Sequence, residues 1–421
     1  MTTQTELLEL IAVESADVYK QGILAGTLRR LSDAVEFCYD PHYRAGHGPP
    51  IATSLPLSDE PLLTPARSVA PYFAGLLPEG RRLTALRHAL KTSADDDYSM
   101  LLAVGRDPIG DVQVVVKGEP CPPFGDGADA PSGPSGPSES DGILDESVSF
   151  VQLFADATGA SPDRVGIAGV QDKVSGRMVS LPIRRQGGPG TILKFDPPEF
   201  PFLVRNEAFF LTMAAACGIE TVEWKLVVDR DGRDGLLVTR FDRLAGPDGS
   251  VSARAVEDGC QISNRYPADK YSVSTEELIN TMSRCCTPAR IAASRFFRQV
   301  LFAVVTGNGD LHAKNFSLTH NGREWLPSPA YDLPSSAPYG DHTLALSVQG
   351  SREGQVSRKR AATLGASLGL PPAAVNLMID EMTTRCLPWA DRVEDLPFDE
   401  RRRRDMSALI RRRCKLLSAH R

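Results

Sequence analysis

Hydrophobic positions change their period several times along the chain, and the changes divide it. Up to about residue 117, short apolar runs near Val18–Leu24 and Val35–Tyr39 read as strands. After the turn-like Leu76-Leu-Pro-Glu-Gly80, the stretch Leu83–Leu90 reads as a helix. Gly118–Gly142 is mostly Gly, Pro and Ser, including Pro131-Ser-Gly-Pro-Ser-Gly-Pro137. Such sequence has almost nothing to bury and predicts a mobile linker. Beyond it the expected order is strand (Arg177–Ile183), turn (Arg184–Gly190), strand (Thr191–Phe195), helix (Glu207–Cys217, stopped by Gly218) and two strands, Thr221–Val228 and Gly235–Thr239, about the turn Asp229-Arg-Asp-Gly232. From Phe241 onward the pattern is mainly helical. Phe296, Phe297, Val300, Leu301, Val304 and Val305 form a stripe that predicts a buried helix ending near Thr306.

These elements predict an α+β, two-lobed chain with an extra N-terminal module. That module would span residues 1–117, the linker 118–146, a β-rich lobe 147–240 and a helical lobe 241–421. A length of 421 residues requires more than one core. The net charge of −6 excludes a global basic field for nucleic acid, although not a local patch. Eight cysteines without any C-x-x-C spacing argue against zinc or a disulfide framework and for reduced thiols in the cytoplasm. The first ten residues lack a signal peptide's pattern, and no run of about 18 apolar residues predicts a membrane span.

The chemistry concentrates in four places. Gly307-Asn-Gly-Asp-Leu-His-Ala-Lys-Asn-Phe-Ser317 begins where the buried helix stops and spaces Asp310 from Asn315 as a phosphotransfer loop does. There a carboxylate takes the proton of an attacking hydroxyl and an oxygen ligand holds magnesium against phosphates. Both residues equally suit a turn. Asp332, in Ala330-Tyr-Asp-Leu333, offers the second carboxylate that a magnesium site uses, or is an ordinary loop residue before Pro334. Lys194 stands in an apolar strand, an expensive placement unless it pairs. It would contact phosphate with Glu207 as its partner, or lie on the solvent face of an edge strand. Gly166-Ile-Ala-Gly-Val-Gln-Asp-Lys173 could cover phosphates, although it is neither G-x-G-x-x-G nor a Walker A sequence. The order of these pieces is the order a kinase needs.

On these residues the chain resembles the HipA family of bacterial serine/threonine kinases, toxins of type II toxin–antitoxin pairs associated with growth arrest and persistence. The resemblance rests on Ala168-Gly-Val-Gln-Asp-Lys173, Ile192-Leu-Lys194, Asn206-Glu207, Arg240-Phe-Asp-Arg243, Glu257-Asp-Gly-Cys-Gln261, Asp310-Leu-His-Ala-Lys-Asn-Phe-Ser317 and Tyr331-Asp332. Leu76-Leu-Pro-Glu79 and Gly105-Arg-Asp-Pro-Ile-Gly110 extend it to the N-terminal module. It implies a two-lobed protein-kinase-like fold and an ATP- and Mg2+-dependent serine/threonine protein kinase. Ala168, Gly169, Val170, Gln171, Asp172 and Lys173 would lie along the ATP phosphates, with Lys194 also on phosphate. Thr239, Arg240 and Phe241 would hold adenine through backbone groups, and His312 and Lys314 would sit near the nucleotide. Asp310 would be the base, and Asn315 and Asp332 the metal ligands. The resemblance further implies a helix-turn-helix antitoxin of the HipB type, operator DNA bound through that complex, and a protein substrate such as an aminoacyl-tRNA synthetase.

One departure concerns regulation. Family members often carry a self-phosphorylated serine in the glycine loop. The corresponding position here, just before Ile167, is Gly166, so that brake is either absent or moved to another residue such as Ser161 or Ser175. At the C-terminal end, Arg401–Arg404 and Arg411–Arg413 suit an amphipathic helix, either paired with Glu394, Asp395, Asp399 and Glu400 or facing DNA phosphates. Two other readings compete: a nucleotide-binding co-repressor scaffold without phosphotransfer, and a kinase for a lipid or small molecule.

Overall fold

A computed structural model of the chain describes residues 4–93, 95–124, 148–158, 178–183, 189–197 and 200–419. They form two compact units. The first takes the described residues before 159, then Val179–Pro197 and Lys225–Pro267, and the second the segment ending at Trp224 and everything from Ala268 on. The chain therefore stays in the first unit beyond Arg240, where the sequence suggested a lobe boundary.

The first unit holds two antiparallel sheets. One has five strands: β1 (Ser15–Lys20), β2 (Ile23–Arg30), β3 (Ala34–Tyr39), β4 (Leu62–Pro65) and β5 (Val112–Val116), in the order β4-β3-β2-β1-β5. The apolar run expected as a single strand at Val18–Leu24 is a hairpin instead. Gln21 and Gly22 both take positive φ (51° and 76°), the turn chemistry that matches strand twist, and they reverse the chain in the middle of the run. Val18, Leu28, Phe37 and Val114 pack against Tyr72 and Phe73 from the short helix Pro71–Gly75 and Met100 and Leu101 from the helix Asp97–Val104. The helix expected at Leu83–Leu90 spans Gly80–Leu90.

The second sheet comprises β6 (Val179–Ile183), β7 (Thr191–Phe195), β8 (Trp224–Val228) and β9 (Asp234–Thr239), in the order β6-β7-β9-β8. Leu193 and Phe195 bury one face against Phe150, Phe154 and Val227. The β8–β9 turn forms as expected: Asp229 Oδ1 accepts from the N–H groups of Asp231 and Arg233, and Gly232 takes φ +76°.

Two buried contacts bind the N-terminal module to residues 240–257 of the same unit. Asp107 accepts from both Arg240 (2.9 Å) and Arg243 (2.7 Å), and the Pro108 carbonyl accepts from the same two guanidinium groups. Asp242 completes the cluster, accepting from both arginines and from the Gly110 N–H. Burial alone would raise the Asp242 carboxyl, but the two guanidinium charges hold it down to about 2. The stretch from Gly118 is correspondingly less empty than its composition suggested. Gly118 donates to Asp17, Gln113 donates to the Pro122 carbonyl, and the Arg243 guanidinium lies over the Phe124 ring. Residues 125–146, the rest of the expected linker, lie outside the described residues.

The second contact is Glu257, only 2% exposed, which accepts from the Thr53 N–H and hydroxyl. Burial outweighs these donors and Lys20 and pushes its carboxyl up to about 7 from an ordinary 4.5. Between those values the fold keeps a proton that the unfolded chain has released, so stability should fall as pH rises through the interval and level off above it. Thermal unfolding at about pH 5.5 and about pH 7.5 checks this: the drop expected in the wild type should be largely missing in Glu257→Gln.

The second unit is mainly helical. Thr275–Arg284, Ala289–Thr306, Arg358–Ser367, Pro372–Cys386 and Glu400–Ser418 pack with Leu203–Ala216 and a small hairpin, β10 (Ser317–His320) with β11 (Trp325–Pro327). The apolar stripe of Ala289–Thr306 is buried, and the helix stops at Gly307 with φ +73°. Helix Leu203–Ala216 begins a turn earlier than expected, with Cys217 as its cap and Gly218 at φ +83°. Among the described residues no helix is long and apolar enough to cross a membrane.

Candidate active site

Gly307 has two tasks. Its left-handed backbone ends the helix, and a Cβ there would approach Ala337, Leu409 and Ser335 at 3.2–3.4 Å. The chain then turns into the Asp310 loop. Asp310, His312 and Asn315 are all nearly inaccessible. The Asn315 side chain donates through Nδ2 to the Asp310 carbonyl (2.9 Å), which leaves Oδ1 as the amide's acceptor. Tyr271 donates its hydroxyl to Asp310 Oδ1 (2.9 Å), and its ring meets His312 edge-on. The Lys314 carbonyl accepts from Tyr331 (2.8 Å), whose hydroxyl also meets Ser317 (2.5 Å).

Asp332 belongs to the same unit. It takes φ +51°, a conformation costly for a residue with a Cβ and held only where the surroundings fix it. Here they do. Just upstream, Ala330 donates to the Glu220 carbonyl and accepts from Val222, in the segment that follows helix Leu203–Ala216. Just downstream, Asn206 on that same helix reads both polar groups of Ser335: Nδ2 donates to its carbonyl (2.8 Å) and Oδ1 accepts its N–H (3.0 Å). Asn308 ties the two loops together, with Oδ1 accepting the Asp310 N–H (2.9 Å) and Nδ2 reaching the Asp332 carbonyl (3.5 Å). Ser336 adds a third tie, accepting from the Gly309 N–H with the Gly307 and Asp341 carbonyls both within reach of its single hydroxyl proton.

Of the residues singled out from sequence, Asp310, His312, Lys314, Asn315, Asp332 and Glu207 fall in the second unit, and Lys194, Thr239, Arg240 and Phe241 in the first. Glu207 is fully buried on helix Leu203–Ala216. Lys194 is 8% exposed and lies on β7, an inner strand paired on both sides, so the solvent-facing edge position is excluded. Thr239 ends β9. The Arg240 N–H donates to the Gly190 carbonyl, and its side chain is committed to the Asp107 cluster. Ala168–Lys173, Gly166, Ser161 and Ser175 lie outside the described residues. Sequence reasoning missed Asn308, Tyr271 and Asp107; Asn308 was within reach, lying inside the glycine-flanked turn itself.

The oxygen donors Asn315 and Asp332 suit a hard cation such as magnesium. Among the described residues no cluster of three or more His, Cys, Asp and Glu side chains could hold a metal, so a cation here would complete its shell with phosphate and water. The arginine-rich helix needs a correction. Arg413 is buried and donates to the carbonyls of Val304 and His342, so it is a packing residue rather than part of a surface patch. Arg402 pairs with Asp399, Arg411 with Asp391, and Arg403 donates to the Glu394 carbonyl.

A strand-rich unit, and a helical unit in which a glycine-flanked Asp310–Asn315 loop is tied to the main chain of Asp332, define the class of a two-part, kinase-like chain. Residues 165–390 match the HipA-like C-terminal domain and residues 16–115 the HipA N-terminal domain, and the chain belongs to the HipA family. The serine/threonine-protein kinase toxin HipA of Shewanella oneidensis is 27% identical over 377 residues, covering 82% of this chain and 80% of that protein. Two Sinorhizobium fredii proteins, Y4mE and Y4dM, are 30% and 31% identical, over 69% and 72% of this chain and 70% and 71% of their own. The fold is that of HipA in the Shewanella oneidensis complex of HipA, HipB and operator DNA, with a TM-score of 0.75 at 22% identity over 95% of this chain and 96% of that one.

Removing the Asn206 amide would orphan two buried backbone groups beside Asp332. Asn206→Ala is expected to cost about 2–4 kcal/mol, read as a lower urea midpoint, whereas a loss under about 0.5 kcal/mol would show that the loop holds itself.

Proposed function

We propose that this chain is an ATP- and magnesium-dependent kinase that phosphorylates serine or threonine hydroxyls of a protein and acts as the toxin of a toxin–antitoxin pair. The observation that carries the reading is that Asn308 ties the Asp310 N–H to the Asp332 main-chain carbonyl while Asn315 ties itself to the Asp310 carbonyl, all within one unit. Asp310 orients the acceptor hydroxyl and takes its proton as the γ-phosphoryl leaves ATP. Asn315 and Asp332 hold magnesium, which supplies neutralising charge for the phosphates. A buried carboxylate is suited to the first task because its geometry is fixed before substrate arrives. Lys194, on a rigid inner strand, is the candidate for phosphate contact in the first unit. Membership of the HipA family, and a fold shared with a HipA seen with HipB and operator DNA, support a HipB-type antitoxin partner and operator DNA reached through it.

Purified wild type and Asp310→Asn, incubated with radiolabelled ATP, magnesium and a host lysate, test the proposal. The wild type should label a discrete protein, and the variant should lose at least about 100-fold of that rate while still binding ATP. ATP binding without labelling by the wild type would favour the co-repressor scaffold, and no ATP binding would sink the reading.

A further inference from the structure

Tyr271 stands outside every motif that carries the phosphotransfer reading, yet its hydroxyl donates to Asp310 Oδ1 at 2.9 Å. The tyrosine is itself held from several sides. Ala313, inside the catalytic loop, donates its N–H to the Lys270 carbonyl (3.1 Å). Arg352 donates to the carbonyl of Tyr271. The ring meets His312 edge-on at 5.2 Å between centroids, and the Lys270 ammonium lies 5.5 Å from its centre. A phenol anchored at its backbone, its ring and its hydroxyl is a fixed donor rather than a swinging one.

From this geometry we infer that Tyr271 is the positioning residue for Asp310: by engaging Oδ1 it sets the plane in which the carboxylate meets the acceptor hydroxyl. A carboxylate on a single Cβ can rotate about two bonds, and a misaligned base loses rate even when substrate is bound. Burial fixes the backbone of the loop, and the tyrosine fixes the carboxylate plane. The alternative role of a gate that must swing away fits less well, because a gate needs a hinge and this segment is tied at Lys270, Tyr271 and Tyr271's ring. The inference rests on the phosphotransfer reading of the same site.

Tyr271→Phe keeps the ring and removes only the hydroxyl. Label transfer to the lysate protein that the wild type phosphorylates is measured against ATP concentration, with fluorescent-ATP affinity and the thermal midpoint read alongside. The expected result is kcat lowered about tenfold with KM for ATP and nucleotide affinity unchanged, and a thermal midpoint lowered by no more than one hydrogen bond supplies. In an Asp310→Asn background the same change should have no further effect on the residual rate, since it acts only through that carboxylate. An unchanged or raised kcat would overturn the inference, as would a parallel loss of ATP affinity and thermal stability, which marks a structural role. A wild type that transfers no label would overturn the phosphotransfer reading and this inference together. A normal wild type beside a normal Tyr271→Phe would overturn this inference alone.

Discussion

Asp332 holds a left-handed backbone where a helix and the segment that follows it grip the chain on both sides. The segment trailing Leu203–Ala216 pairs with Ala330, and Asn206 within that helix pairs with Ser335. A carboxylate in a sparsely populated conformation would otherwise relax, at a gain on the order of 1–3 kcal/mol. The rest of the second unit depends on this grip. With Asp332 fixed, Asn308 can bridge to Asp310, and with Gly307 fixed under Ser335 and Ser336 the long helix Ala289–Thr306 delivers the loop to one place. The site is thus assembled largely from side chains that hydrogen-bond main-chain groups across turns, and Asn315 adds one of those bonds itself.

The first unit solves a different problem with charge. Two arginines, two aspartates and a carbonyl pack together with only Asp107 partly exposed, and no other charged member could be buried alone. The arrangement works because each anion meets both cations and the planar guanidinium forks match carboxylate geometry. Its consequence is positional. Arg240 and Arg243 come directly after β9, so the N-terminal module is fastened to the exit of the sheet that carries Lys194. Removing one partner would leave the others as uncompensated buried charges, which makes the module an integral part of that unit rather than an appendage.

What could be read from sequence depends on how far each signal reaches. The helix ending at Thr306, the strand Thr191–Phe195 and the Asp229–Gly232 turn were legible because period, glycine position and side-chain capping act within a few residues. The Asp310–Asn315 loop was legible for the same reason. The hairpin at Gln21-Gly22 was misread although Lys20-Gln21-Gly22 interrupts the apolar residues, because the apolar pieces on either side are too short to show as separate strands. Asn206 with Ser335, and Arg240 with Asp107, lie more than a hundred residues apart, and no local pattern marks them. Arg413 was misread for a related reason: its neighbours are exposed arginines, and only packing shows that this one turns inward to the carbonyls of Val304 and His342.

The failures at Asn206 and Arg413 share a cause. Partners that reach backbone groups across the fold leave no compositional trace, because any stretch of chain offers the same carbonyl and N–H. Asn206, Asn308 and Arg413 all work this way, each spending a side chain on main-chain atoms. A site that depends on such contacts can keep its chemistry while the sequence between its motifs drifts, since the acceptors are not encoded by side chains. At about 30% identity to its relatives, the chain can therefore retain the frame wherever the few reading residues remain, and Asn206 beside Glu207, with Asn308 beside Asp310, are where that dependence falls.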